Sequence, residues 1–163
     1  MPNLPPNPKF FSWHSAAAKR NQEWQAEHIV FTNGCFDILH PGHIDYLQRA
    51  RALGTFLCLG LNSDASVRRL KGPSRPVVPE AARAFVLAGL GCVDAIVLFD
   101  HDTPYELIRT LSPHILVKGG DWSVEHIIGR DLVHNAGGEV FSLPMLSGYS
   151  TSAIIERIQQ EQI

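Results

Sequence analysis

Short apolar, β-prone runs alternate with segments of helical period along most of this chain, and that alternation constrains the fold more than any other feature. The runs are His28–Thr32, Phe56–Leu61, Ala95–Phe99, Ile115–Val117 and Glu139–Leu143. Between them, Ile44, Leu47, Ala50 and Leu53 recur at helical spacing before Gly54, and the pattern predicts further helices over 65–70, 80–90, 104–111, 124–135 and 151–160. Strands that are apolar throughout, not alternating apolar with polar, must be covered on both faces. The expected fold is therefore Rossmann-like α/β: a doubly wound parallel sheet with helices on both faces, in a single domain. With 163 residues the chain can bury a core without a disulfide or metal staple. Residues 1–27 stand outside the pattern. Four prolines in the first ten residues predict an arm, followed by a polar helix near 15–26, and the domain proper is expected over 28–163.

In open parallel sheets ligands bind beyond the carboxyl ends of the strands. The loops to inspect are therefore 33–43, 62–64, 71–79, 118–122 and 144–152. Lys and Arg total 14 against 16 Asp and Glu, a net charge of −2, so no global positive field favours nucleic acid or an anionic membrane. An anionic ligand must be held by local donors. No apolar run approaches a membrane span, and the prolines interrupt any secretory leader, so the expected location is the cytoplasm. Cys35, Cys58 and Cys92 form no CxxC pair and predict neither a disulfide framework nor a zinc knuckle.

The first post-strand loop carries the most specific signal. Neither GxxxxGK[ST] nor a post-strand GxGxxG is present. Instead His40, Gly42 and His43 form His-x-Gly-His at the start of a helix, with Asp37 just before. Imidazoles and free amides at a helix start can donate to phosphate oxygens; a buried structural histidine or a metal-ligand pair are the competing readings. Ser150, Thr151 and Ser152 stand at the start of the last helix and either cap it or bind phosphate. Lys71, Arg75, Arg83 and Lys118 lie on or beside post-strand loops, where each is a phosphate ligand or a solvated surface charge. Lys118-Gly119-Gly120-Asp121 is either a ligand-approach loop or a tight turn. Asp100-His101-Asp102 reads as a polar loop, since consecutive residues rarely converge on one ion.

Gly34-Cys35-Phe36-Asp37-Ile38-Leu39-His40-Pro41-Gly42-His43 resembles the G-x-F-D-x-x-H-x-G-H signature of the nucleotidyltransferase superfamily that includes the cytidylyltransferases. Within it, the resemblance runs to the heptose 1-phosphate adenylyltransferases (ADP-heptose synthases). It is supported by Leu61–Val67, Leu70–Pro73, Arg75-Pro76, Val117–Asp121 and Ser150–Arg157, and extends in order from about residue 28 to 158. It implies transfer of AMP from ATP to D-glycero-β-D-manno-heptose 1-phosphate, giving ADP-heptose, a lipopolysaccharide core precursor, and pyrophosphate. His40 and His43 would then steady the α-phosphate and the bridging oxygen of the leaving pyrophosphate, with Lys71 on the phosphates. Cys35, Phe36, Asp37, Gly42, Arg83, Lys118, Gly119, Ser150, Thr151 and Ser152 would surround the nucleotide, and Asn62, Arg75 and Asp121 the acceptor. The metal implied is Mg²⁺ carried on the triphosphate, with no protein cage for it.

The resemblance also implies a homodimer or higher homo-oligomer, for which the apolar segment 85–93 is a candidate interface; the charge balance and the lack of a long apolar run predict no nucleic-acid or membrane partner. Relatives are often fused to a sugar kinase; with no segment of that size here, a free-standing form is expected. Two rival readings stay open at this level. One is a cytidylyltransferase acting on a polyol or amino-alcohol phosphate, and the other a non-catalytic nucleotide-sensing module.

Overall fold

A computed structural model describes residues 4–120 and 122–160. Five of its strands fall on the five apolar runs: β2 (Ile29–Gly34), β3 (Phe56–Asn62), β4 (Ala95–Phe99), β5 (Ile115–Gly119) and β6 (Glu139–Leu143). A sixth, β1 (Phe10–Phe11), comes from the N-terminal stretch whose prolines predict an arm, and it pairs Phe10 with Ile96 and Phe11 with Val97 of β4. Two residues have no periodicity to betray a strand; β1 is defined by a partner 86 positions away. All pairings are parallel, in the order β1-β4-β3-β2-β5-β6.

The helices are α1 (Trp13–Arg20), α2 (Pro41–Arg51), α3 (Asp64–Lys71), α4 (Glu80–Ala88), α5 (Tyr105–Leu111), α6 (Arg130–Asn135) and α7 (Thr151–Gln160). Ser12 caps α1 by accepting from the Ser15 amide, so this helix starts before and ends short of the 15–26 stretch. The pattern over 124–135 predicts one helix, but the structure breaks it into a 3₁₀ turn at Val124–His126 and α6. The break falls at Gly129, whose φ of 89° is left-handed and cannot continue a right-handed helix.

Successive strand residues point to opposite faces and make two cores. Ile29, Phe31, Cys58, Val97 and Leu116 pack with Leu107, Ile108 and Leu111 of α5; Val30, Leu57, Leu59, Ile96 and Val117 pack with Leu47 of α2 and Leu87 of α4. Both layers are needed because every central strand is apolar on both sides. The chain winds outward through β2, β3 and β4, then returns to lay β5 on the other side of β2. The carboxyl end of β2 is thus the switch point where such sheets open a crevice. Among the described residues no helix is long and apolar enough to cross a membrane, and Cys35, Cys58 and Cys92 are free thiols.

Candidate active site

A cleft of about 560 Å³ opens at that switch point. The loop leaving β2 forms its centre. Gly34 and Phe36 start the turn: Phe36 adopts a φ of 45°, unusual for a residue with a side chain, and its ring occupies the space a Cβ on Gly34 would need, 2.8 Å away. Asp37 follows. Its carboxylate is buried and accepts from Arg75 Nε (2.6 Å), the Val77 amide (3.0 Å) and the Val78 amide (2.8 Å). Burial by itself would raise its pKa; the two amides and the Arg75 guanidinium outweigh it and hold the group below the usual carboxylate range. Asp37 therefore ties the β2 loop to 75–78.

His40 takes an extended conformation (φ −146°) just ahead of α2, with Pro41 in the first turn. The resemblance puts both histidines on phosphate; the structure separates them. His43 lines the cleft, whereas His40 lies behind it, 6% exposed, its ring stacked on that of His43 at 3.8 Å. Gly42 makes the stack possible, since a Cβ there would sit 3.1 Å from the His40 ring. Neither Nδ1 has a hydrogen-bond partner within the protein. Burial, and secondarily the neighbouring His40, push the His43 pKa down to about 4, and burial lowers that of His40. At neutral pH both rings are uncharged.

Cations converge around this loop. Lys71 ends α3, Arg75 stands on the following loop, and Lys118 is the penultimate residue of β5; all three line the cleft with Cys35, Asn62 and Gly119. Lys118 donates to Asn33 Oδ1 at 3.3 Å. Its pKa is lowered, first by burial and then by the Lys71 charge, although Cys35 acts the other way. Burial raises the Cys35 thiol, against the pull of Lys71, Arg83, Arg75 and Lys118. Like charges gathered in a partly desolvated cleft are relieved by a bound polyanion.

Thr151 and Ser152 line the far side, and Thr151 Oγ1 reaches the Ile38 carbonyl at 3.4 Å, joining the start of α7 to the histidine loop. Ser150 instead caps α7, its Oγ accepting from the Ala153 amide at 3.1 Å, and is not part of the lining. Arg83 is not part of it either. Its buried guanidinium donates to the carbonyls of Cys35, Val78 (2.9 Å) and Asn62 (2.9 Å), and to Asp64 Oδ1 (2.8 Å). The arginine pins together the β2 loop, the end of β3 and the head of α4. Asp121 lies outside the described residues.

Asn33, Tyr46, Leu70, Asp102, Pro104, Trp122, Ile128 and Met145 also line the cleft and were not singled out from sequence. Asn33, Trp122 and Met145 fall in the post-strand loops already marked, so their position was a usable signal. Tyr46 is buried in the floor, its hydroxyl paired with Thr32 Oγ1 (2.6 Å) and reaching the Val117 carbonyl (3.3 Å). Leu70 and Ile128 have no comparable sequence signal.

The pattern of the family described as cytidylyltransferase-like matches residues 31–157. The chain belongs to that family. The match takes in every cleft-lining residue. Among curated proteins, the bifunctional protein HldE of Syntrophotalea carbinolica is 62% identical over 130 residues, 80% of this chain and 26% of that protein. HldE of Citrifermentans bemidjiense is 54% identical over 143 residues, 88% of this chain and 29% of its own length. This member of the family thus spans between a quarter and a third of the curated relatives it matches. A solved lipopolysaccharide core biosynthesis protein from Thermoplasma volcanium is 27% identical with a TM-score of 0.59, covering 77% of this chain and all of that one. The pantoate-beta-alanine ligase of Francisella tularensis, at 12% identity and TM-score 0.56, shares the fold.

Proposed function

We propose that this chain is a nucleotidyltransferase that joins ATP to D-glycero-β-D-manno-heptose 1-phosphate, releasing pyrophosphate and ADP-heptose. The observation that supports it best is the convergence of His43, Lys71, Arg75 and Lys118 on one cleft at the switch point, facing the hydroxyls at the start of α7. Three charged groups and an imidazole suit a triphosphate and a sugar phosphate held side by side. The heptose assignment is supported by the sequence signature, by the HldE relatives and by the lipopolysaccharide core biosynthesis neighbour.

An oxygen of the sugar phosphate attacks the α-phosphorus of ATP; the new P–O bond forms as the bond to the bridging oxygen breaks, and pyrophosphate departs with that electron pair. The protein's part is to align the two substrates and stabilise charge building on the leaving group. His43 donates to the α-phosphate region, with His40 behind it setting the ring. Lys71 and Lys118 counter the phosphate charge, Thr151 and Ser152 hold oxygens from the α7 side, and Arg75 with Asn62 receives the acceptor phosphate. Cys35, Phe36 and Gly119 shape the walls, and Asp121 is proposed on the acceptor side. The divalent ion, Mg²⁺, enters as part of the nucleotide substrate. Mg²⁺ commonly binds through triphosphate oxygens and water with few protein ligands, and that is the arrangement proposed for it here. Phe85 and Val86 of α4, 39% and 50% exposed, support the reading of that helix as a contact between copies of the chain.

The test is pyrophosphate release from the purified protein with Mg²⁺, the heptose phosphate and either ATP or CTP. Release with ATP supports the assignment. Release only with CTP moves it to a cytidylyltransferase, and no release with either removes it.

A further inference from the structure

Asp102 belongs to the loop after β4, where sequence alone predicts only a polar turn; the fold carries it to the cleft beside Lys71 and Pro104. The lining is rich in donors and poor in acceptors, and its carboxylates among the described residues are Asp37 and Asp102. Both oxygens of Asp37 are occupied by Arg75 and two backbone amides. Asp102 is different. The Arg69 guanidinium engages Oδ1 (2.8 Å from Nε), and the side chain is 72% exposed. The same guanidinium donates to the Asp100 carbonyl, which fixes the loop on α3. Asp102 is thus an anchored carboxylate open to solvent, with capacity to accept.

The cleft has two flanks. Thr151 and Ser152 adjoin the histidine loop on the β6 side, the side proposed for the nucleotide. Asn62, Lys71 and Asp102 follow β3 and β4 on the other side, beyond Arg75's anchor on Asp37. A sugar phosphate placed there brings an anion, which Arg75 suits, and several hydroxyl donors, which cations cannot serve.

We propose that Asp102 accepts hydrogen bonds from the hydroxyls of the acceptor sugar and makes the site selective for a polyhydroxylated phosphate ester. This rests on the sugar-phosphate reading above. An acceptor placed to meet a substrate hydroxyl favours the hydroxylated ester over an analogue lacking it, and a hydrogen bond to a charged group lost on truncation is worth about tenfold or more in binding.

KM for heptose 1-phosphate and for ATP is measured in the parent, Asp102→Ala, Asp102→Asn and Arg69→Ala. The sugar phosphate KM rises about tenfold or more in Asp102→Ala, less in Asp102→Asn, which keeps one acceptor, and least in Arg69→Ala, which keeps the carboxylate. KM for ATP stays in place. A deoxy acceptor that binds the parent poorly is no longer disfavoured by Asp102→Ala. An unchanged sugar KM overturns the inference, as does a shift confined to ATP, which would put the carboxylate on the nucleotide. Should the parent release no pyrophosphate with the heptose phosphate, the functional reading fails separately. Thermal shifts of parent and Asp102→Ala with mannose 1-phosphate and glucose 1-phosphate then decide: a stabilisation that requires Asp102 supports it, and equal shifts refute it.

Discussion

Arg83 of α4 and Asp64 at the head of α3 form an ion pair of 2.8 Å in which the arginine side chain is fully buried. The two helix starts are laced further: the Asp64 amide donates to Glu80 at 2.7 Å and the Glu80 amide to Asp64 at 2.9 Å. Family resemblance places Arg83 near the nucleotide; the structure buries it behind the cleft wall. It holds the carbonyl of Cys35, and through it the wall of the cleft. The acidic partner is 19 residues away in sequence, in a helix whose approach only the tertiary fold decides.

Removing a buried partner from such a pair leaves charge and carbonyls unsatisfied, at about 3–5 kcal/mol. Arg83→Ala is therefore expected to lower unfolding free energy in urea by about 3 kcal/mol, and Arg83→Lys by less. A direct ligand role predicts the reverse pattern: unchanged unfolding with a raised KM for ATP.

Asp37 offers a second, pH-resolved case. Asp37→Asn keeps one acceptor but loses the charge that holds Arg75 and two amides, so a loss of about 1–3 kcal/mol is expected at neutral pH. The native carboxyl titrates below its unfolded value of 3.8. Its contribution is therefore complete above that value and is lost as pH falls through the lower, folded one. The stability gap between parent and variant should close on acidification below 3.8. A gap that persists or widens there shows that Asp37 is not held ionised by these partners.

The proposed roles of the stacked histidines differ, and activity can separate them. Removing one preorganised donor costs about 10²–10³ in kcat, the loss expected for His43→Ala. His40, which acts through the stack at 3.8 Å, should tolerate His40→Phe better than His40→Ala, because phenylalanine preserves a ring to lean on. Equal loss in both His40 variants would show that its nitrogen, and not its ring, is what the reaction uses.

The sheet was largely legible because its central strands are buried on both faces, and that burial is written as uninterrupted apolar runs. What escaped was set by contacts distant in sequence. Phe10–Phe11 became a strand through Ile96 and Val97. His40 withdrew behind His43 because Gly42 leaves room for its ring. Asp102 entered the cleft because Arg69 fastens its loop. Residue type marked the β2 loop; which of its side chains face the cleft depended on packing no local pattern records.

The lowered pKa of His43 carries its own signature in stability. Its folded value is about 4 against an ordinary 6.5, so between those limits the unfolded chain binds the proton that the native ring refuses. Stability must then rise with pH across that window and fall on acidification through it. His40, also lowered by burial, adds in the same direction. Urea unfolding of the parent followed from pH 7 to pH 4.5 should show this decline, with a shallower decline in His43→Asn, which has no proton to gain. Bound ATP should flatten the parent's curve as well, because phosphate beside the imidazole favours its charged form and raises its pKa. Parallel curves for parent and variant, with and without ATP, would place His43 away from both the desolvated pocket and the nucleotide.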